Sequence, residues 1–188
     1  MRDKIKDLFL ESIQVKEDLL HSSIGQIIDI TTLMIESIKK GGKVMLFGNG
    51  GSASDSQHIA AELVGRFRKE RSALAAIALT TNTSILTSLS NDYSYDIVFA
   101  RQIEALGQKN DIAIGISTSG KAKNVAAGIK QAKKMGIKTV ALTGGDGGEL
   151  AKLADISLIV PSLVTARIQE AHITLGHIIC ELVEQEFD

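Results

Sequence analysis

Five short apolar runs, four of them followed by a loop or turn of small polar residues, constrain the fold of this chain more than any other feature. The runs lie at Val44–Phe47, Ala75–Leu79, Ile112–Ile116, Thr139–Leu142 and Ile156–Val160. They are continuous instead of alternating, which is typical of strands covered on both faces. Helical stretches lie between most of them, notably at Ala53–Phe67, Val98–Leu106 and Val125–Met135. The pattern therefore predicts an α/β fold in which helices flank a five-stranded parallel sheet as a three-layer sandwich.

The first forty residues predict two helices that precede the sheet. One apolar stripe comprises Ile5, Leu8, Phe9, Ile13, Leu19 and Leu20, and a wider stripe extends from Ile24 to Ile38. The width of the second stripe indicates burial on more than one side. Gly41-Gly42 is expected to end that helix, and a last helix is expected from about Thr165 to Glu186. We expect a single domain over residues 1–188, with the α/β core at 43–188.

Charge and composition exclude several classes of protein. The formal net charge of −1 provides no general field for nucleic acid or an anionic membrane surface. No apolar run approaches the ~20 residues that cross a bilayer, and the charged start of the chain lacks the apolar core of a signal peptide. The lone Cys180 fits a reducing compartment. These features predict a cytoplasmic protein without nucleic-acid or membrane partners.

Small residues rich in glycine or hydroxyls follow four of the predicted strands. The segments are Gly48-Asn49-Gly50-Gly51-Ser52, Thr80–Ser84, Ser117-Thr118-Ser119-Gly120 and Thr143–Gly147. Because ligands of open parallel sheets bind at the carboxyl ends of strands, these loops are expected to converge on one crevice. Glycine-rich turns that lead into helices bind anions, but the usual nucleotide motifs are absent. The local pattern equally allows simple strand-to-helix turns.

Two sets of polar residues lie on predicted helices. His58 and Glu62 are four residues apart and share one helix face. Such a pair can ligate a metal, act as a base with its orienting group, or make only a surface contact. Gln169, His172 and His177 interrupt the apolar last helix and require partners there. His172 lies about 140° from His177 around the helix, so we interpret His172 as structural or as a residue that supports the ligands from behind.

Together these segments resemble the phosphoheptose isomerases, a family with the sugar isomerase (SIS) fold. The resemblance covers nearly the whole chain. The motifs that carry it are Gly48–Ser52 with Asp55, His58, Glu62, Gly65 and Arg66, then Asn91-Asp92-Tyr93, Gly115–Gly120, and Ala166–Glu170 with His177. It implies a homotetramer with active sites at subunit interfaces, and residues 1–41 are expected to pack in that oligomer.

The resemblance also implies a reaction and its residues. The reaction is a ketose–aldose isomerisation of sedoheptulose 7-phosphate to D-glycero-D-manno-heptose 7-phosphate through an enediolate, leading to nucleotide-activated heptose for lipopolysaccharide or capsule. Glu62 would be the base and His177 the proton shuttle. The implied ligands of one zinc ion are His58, Glu62, Gln169 and His177. The implied substrate contacts are Asn49, Gly50, Gly51, Ser52, Glu62, Asn91, Asp92, Ser117, Thr118, Ser119 and Gln169.

Some residues depart from the family pattern. Lys121-Ala122 stands where many relatives place another serine, which removes one hydroxyl that could contact phosphate. Phe47 replaces a common cysteine, and Ser90 and Ser94 replace frequent glycines around a predicted loop at Asn91–Tyr93.

Gln169 and His177 are about 12 Å apart along a straight helix, which predicts that the site draws on neighbouring subunits.

Two other functions are compatible with this fold. Some homologues have lost catalysis and act as tetramers that bind a protein partner, such as the replication initiator. The resemblance implies that Glu62 and His177 are altered there, and both are intact here, which favours the enzyme. A sugar-sensing transcription regulator would need a helix-turn-helix module or a basic patch, and the chain has neither.

Overall fold

The computed structural model describes residues 1–188 and contains one five-stranded sheet in which every pairing is parallel. The strands are β1 (Val44–Gly48), β2 (Ala76–Ala78), β3 (Ile112–Ser117), β4 (Lys138–Gly144) and β5 (Ile156–Val160). Their order across the sheet is β2-β1-β3-β4-β5. The predicted α/β class, strand number and parallel pairing are confirmed.

Eight helices surround the sheet. They are α1 (Arg2–Ser22), α2 (Ile24–Lys39), α3 (Gly51–Val64), α4 (Thr83–Asp92), α5 (Val98–Leu106), α6 (Lys123–Lys134), α7 (Gly148–Leu153) and α8 (Thr165–Glu184), with a 3₁₀ turn at Tyr95–Ile97. No helix combines the length and the apolar character that crossing a membrane requires. The two predicted amino-terminal helices and the long last helix are present.

Alternate residues of the three central strands, β1, β3 and β4, enter two separate cores, one on each face of the sheet. In β1, Val44 and Leu46 join a cluster supplied by α1, α2, α3 and α8. Met45 and Phe47 point the other way into a cluster supplied by α5, α6 and α7. All four side chains are fully buried, which explains why the strand is apolar at every position.

Helix α4 occupies a stretch whose two ends, at Thr80–Ser84 and Asn91–Tyr93, are predicted from the sequence to be loops. Asn82 caps the helix, since its side chain accepts a hydrogen bond from the Ile85 N–H at 3.0 Å. Thr87 and Ser90 donate their hydroxyls to carbonyls four residues earlier, at 2.7 and 2.6 Å. These hydroxyls are satisfied within the helix, so residues that usually indicate a loop are compatible with helical backbone.

The order of the strands opens a crevice between β1 and β3. These strands are neighbours, but the helix after β1 packs on one face of the sheet and the helix after β3 packs on the other. The two connecting loops therefore diverge at the carboxyl end of the sheet. Such a topological switch point is where parallel α/β sheets bind ligands.

Candidate active site

The loop after β1 brings the start of α3 directly to the crevice. Gly48 packs so closely on β3 that an added Cβ would lie 2.7 Å from the Ile116 carbonyl oxygen. Gly50 adopts φ of 56°, a conformation that favours glycine, and α3 begins at the next residue. No side chain caps this helix, so its amino-terminal dipole faces the crevice and favours an anion there.

The loop after β3 presents a second helix start to the same crevice. Ser117 ends the strand nearly buried, and Gly120 turns at φ of 62° against the Gly147 carbonyl. Helix α6 then begins after Ala122, which has no side-chain hydrogen bond to the helix. Two helix amino termini therefore meet near one point, which provides the local anion site that the overall charge of −1 does not supply.

A pair of asparagines joins the two loops. The amide of Asn49 donates to Asn124 Oδ1 and the amide of Asn124 donates to Asn49 Oδ1, both at 2.8 Å. The Tyr95 hydroxyl donates to Asn49 Oδ1 at 3.2 Å. Asn124 is buried at the start of α6, four residues after the segment Ser117–Gly120 (the serine loop), and the sequence analysis did not single it out. These bonds hold the two loops in a fixed relation.

A cleft of about 310 Å³ extends from the serine loop towards β4, β5 and the start of α8. Its lining comprises Thr118, Ser119, Lys121, Gly144, Gly145, Asp146, Ser162, Leu163, Thr165 and Ile168. The volume is at the lower end of the range of small-molecule pockets. Two of the four segments that were expected to converge meet in this cleft, since Gly144–Asp146 line it together with Thr118 and Ser119.

Helices α3 and α8 bring a His–Glu–His cluster together about two helical turns beyond the start of α3. His58 Nε2 lies 3.0 Å from Glu62 Oε1 and 3.0 Å from His177 Nε2. The two helices run parallel, because Gly51 contacts Gln169 and Ile59 contacts Gly176 further along both. That alignment brings His177 level with His58, although 119 residues separate them.

The donor atoms of this cluster suit a divalent metal ion. One ligand atom from each of His58, Glu62 and His177 lies within 4.8 Å of the other two. Two imidazole nitrogens with one carboxylate form a ligand set found in catalytic zinc sites, where a further position remains open for substrate or water. The residues present therefore fit such an ion, with unprotonated Nε2 atoms as ligands.

Gln169 occupies a different position in this single chain. Its side-chain amide lies against Gly51, so closely that a Cβ on that residue would overlap it. It therefore lies at the start of α3, about two helical turns from His177 on the same helix. One chain brings together three of the four expected metal ligands and places the fourth beside the loop Gly48–Ser52 (the glycine loop).

Asn91 and Asp92 are exposed in the last turn of α4, not in a loop. The Asn91 amide donates to Asp92 Oδ1 at 2.9 Å. Neither side chain forms a hydrogen bond with the glycine or serine loop, whereas Tyr95, just after them, reaches Asn49. Their expected contact with the substrate therefore stays a prediction.

One buried and one half-buried group near the site have shifted pKa values. His172 Nε2 donates to the Thr143 carbonyl at 3.0 Å, and burial lowers the pKa of this histidine to about 4. The burial and the backbone bond support the structural interpretation. Asp55, three residues before His58, has a buried Oδ2 without a partner. Burial raises the pKa of Asp55 to about 6, against the opposing effect of His58.

Comparisons with known proteins agree with this geometry. Residues 9–144 match the SIS domain model. The phosphoheptose isomerase of Aquifex aeolicus is 55% identical over 185 residues, with 98% of this chain and 97% of that protein covered. That of Clostridium acetobutylicum is 53% identical over 188 residues, with 99% and 96% covered.

A solved structure shows the same agreement. Phosphoheptose isomerase GmhA from Neisseria gonorrhoeae superposes with a TM-score of 0.93 at 41% identity, and the match covers 98% of both chains. Sequence and structure are thus similar over nearly the whole length of the chain. This chain therefore belongs to the phosphoheptose isomerase family of SIS-domain proteins.

Proposed function

We propose that this protein isomerises sedoheptulose 7-phosphate to D-glycero-D-manno-heptose 7-phosphate. The observation that carries the proposal is the His58–Glu62–His177 cluster, about two turns along the helix whose amino terminus faces the crevice. Proton-transferring groups at some distance from an anion site suit a substrate that has a phosphate at one end and a carbonyl at the other. The full-length similarity to phosphoheptose isomerases supports the choice of sugar.

The two loops would bind the substrate by its non-reacting end. We assign the phosphate to the hydroxyls of Ser52, Ser117, Thr118 and Ser119, with the start of α3 at Asn49–Gly51 adding its dipole. Asn91, Asp92 and Gln169 complete the proposed substrate contacts. A phosphate held in this way fixes the position of the reacting carbons, which converts binding energy into orientation.

Moving the carbonyl from C2 to C1 requires transfer of a carbon-bound proton and of a proton between two oxygens. We assign Glu62 as the base that takes the proton from C1 and returns it to C2, which passes through an enediolate. His177 would move the proton between O1 and O2. Each such proton transfer by a positioned side chain increases the rate by a factor of roughly 10²–10⁴.

We further propose that His58, Glu62, Gln169 and His177 hold one zinc ion. When bound, such an ion polarises the substrate carbonyl. Glu62 can serve both as the base and as a metal ligand because a carboxylate has two oxygens, of which one lies 3.0 Å from His58 Nε2. Since Gln169 lies away from the other three ligands in one chain, assembly of subunits is proposed to complete the set.

We propose a homotetramer with active sites at subunit interfaces. The apolar side chains of α1 support it, because Ile5, Phe9 and Ile13 are about half exposed or more in the isolated chain. The single cysteine, Cys180, is buried and free, which fits a reducing cytoplasm. The product would serve heptose synthesis for lipopolysaccharide or capsule.

The test is turnover of sedoheptulose 7-phosphate by the purified protein in deuterated water. We expect isomerisation, solvent deuterium in the product, and loss of activity together with a divalent metal on chelation. Glu62→Gln should lower kcat by at least ~10²-fold while the protein still folds, because the amide cannot accept the carbon-bound proton.

Glu70→Gln is the matched control, since Glu70 is an exposed carboxylate that contacts only Arg66, at 3.5 Å. Its kcat should equal that of the unmodified protein. Absence of turnover in the metal-loaded protein would contradict the proposed reaction. Near-normal kcat in Glu62→Gln would mean that another residue is the base. Full activity in metal-free protein would refute the proposed role of a bound metal.

A further inference from the structure

The ring of His177 is held between two other rings. It lies 5.0 Å from the His58 ring and 5.3 Å from the Phe67 ring, measured between centroids. The Phe67 contact limits rotation of the imidazole, and that rotation decides whether Nε2 points at His58. Phe67 lies beyond the end of α3, in a segment without regular structure. Something other than helix geometry must therefore hold Phe67 in place.

Glu184 holds the backbone of this segment. Its carboxylate accepts hydrogen bonds from three consecutive N–H groups, those of Phe67, Arg68 and Lys69, at 3.1, 2.8 and 3.0 Å. Glu184 is 2% exposed and follows His177 by seven residues, which places both on one face of α8. A buried carboxylate with three donors is a rigid anchor, because each bond to a charged group is strong.

Arg71 extends the same network to the end of α3. Its Nε lies 3.8 Å from Glu184 Oε2, and both side chains are almost completely buried. The guanidinium donates to the Glu62 carbonyl at 2.9 Å and to the Gly65 carbonyl at 3.2 Å. These carbonyls belong to the end of α3, where intrahelical donors run out. Arg71 therefore fixes the turn of the helix that carries Glu62.

We propose that the buried pair of Glu184 and Arg71 positions the site: it sets the His177 ring through Phe67 and sets Glu62 through the end of α3. Neither residue touches the crevice, so both act through the residues that they hold. The expected effect on kcat rests on the proposed isomerase function. The structural consequence, a defined orientation of the His177 ring, is independent of that function.

The experiment compares Glu184→Gln with Glu181→Gln in the full-length protein. In Glu184→Gln the introduced amide retains the shape of the side chain but presents an N–H₂ group to one backbone donor, which should release the Phe67 segment. Glu181 is a partly exposed carboxylate on the same helix that pairs with Arg68 at 2.7 Å. It provides the matched control for loss of one carboxylate from α8.

Two measurements are made on each variant. In metal-free protein, the His177 Cε1–H proton resonance is assigned by its loss in His177→Gln, which is practical with four histidines. We expect this resonance to shift in Glu184→Gln, because the ring current of Phe67 acts on it, and to stay in place in Glu181→Gln. We also expect kcat of Glu184→Gln to fall roughly 10–100-fold with little change in KM, the range for residues that orient a ligand shell.

Phe67 provides a second test if Glu184→Gln does not fold. Phe67→Leu removes the ring and should lower kcat about tenfold, whereas Phe67→Tyr retains the ring and should preserve kcat within about twofold. An unchanged His177 resonance in folded Glu184→Gln, or unchanged kcat in Phe67→Leu, overturns the proposal. An unmodified protein without turnover would refute the isomerase function instead, and the resonance would still decide the positioning role.

Discussion

Ala122 stands at the position where a side chain would serve both helix α6 and a bound phosphate. It forms no capping hydrogen bond, and Lys121 beside it lines the cleft. Ala122→Ser is expected to lower KM by one to two powers of ten with little change in kcat, because one hydrogen bond to a charged group contributes roughly 1.5–3 kcal/mol of uniform binding. Steady-state kinetics measure both constants.

The lysines around Ala122 provide the complementary test. Lys121 Nζ lies 4.0 Å from Asp146 Oδ2 at the exposed rim and is free to approach an anion. Lys121→Ala or Lys123→Ala should raise KM more at low salt than at high salt, since exposed charges are screened. If neither these variants nor Ala122→Ser changes KM, the phosphate does not bind at this end of the loop.

His172 should make the stability of the protein depend on pH. Its pKa in the folded protein is about 4, below the ordinary value of 6.5, so the unfolded chain binds the proton more readily. The neutral ring therefore favours folding above pH 6.5, and this contribution is lost as the pH falls towards 4. The loss should reach about 3 kcal/mol in the free energy of unfolding, measured by urea titration at each pH.

His172→Gln is the comparison for this dependence. The glutamine amide can donate to the Thr143 carbonyl as the imidazole does, but it does not titrate. The variant should lose less stability than the unmodified protein between pH 7 and pH 4. Equal losses in both proteins would mean that groups other than His172 cause the acid sensitivity.

At the scale of elements, the contact between α3 and α8 aligns the site. Gly176 allows the close approach, since an added Cβ would lie 2.7 Å from Ile59 Cδ1. Gly176→Ala should therefore lower the free energy of unfolding by about 1–3 kcal/mol and reduce kcat, because overpacking pushes the helices apart. Thermal or urea unfolding together with kinetics measures the effect.

Gly25 is the matched control, a helical glycine with nothing within 4 Å of an added Cβ. Gly25→Ala should stabilise the protein by up to about 1 kcal/mol, because alanine has the higher helix propensity. Two variants with the same chemical change should therefore have effects of opposite sign. A stabilising Gly176→Ala would show that the helices separate without cost and that their spacing does not limit the site.

At the scale of the whole molecule, helix α1 presents a surface that one chain leaves open. Only Val15 and Leu19 of this helix are buried, whereas Phe9 is 67% and Ile13 is 49% exposed. Arg167 joins α1 to the start of α8 by donating to the Leu8 carbonyl at 2.7 Å, close to Gln169 in sequence. Assembly through α1 would therefore act on the end of α8 that the site needs.

Phe9→Asp and Ile13→Glu test this surface. Each should dissociate the proposed tetramer in sedimentation experiments and lower kcat, because a charge cannot be buried there without a partner. Glu17→Lys, a charge change at an exposed residue of the same helix, should leave both properties unchanged. A fully active monomer would refute the proposal that subunits complete the site.

The sequence by itself determined the class of the fold and most of its elements. Runs such as Val44–Phe47 and Ile112–Ile116 are apolar at every position because both faces of a central strand are covered, and this property is local to the run. The glycine and serine loops were recognisable for the same reason, since a tight turn into a helix demands small residues. Helix α4 was not predicted, because its hydroxyls form hydrogen bonds within the helix that the composition does not reveal.

Only the tertiary structure decided which distant residues meet. His58 and His177 are 119 residues apart, and Phe67 and Glu184 are 117 apart. Their contacts depend on the parallel alignment of α3 and α8, which is set by packing at Gly51 and Gly176 and not by any local pattern. Spacing along α8 alone could not place Gln169 against the glycine loop. A single turn of slip between these helices would separate the cluster while every local sequence preference stayed satisfied.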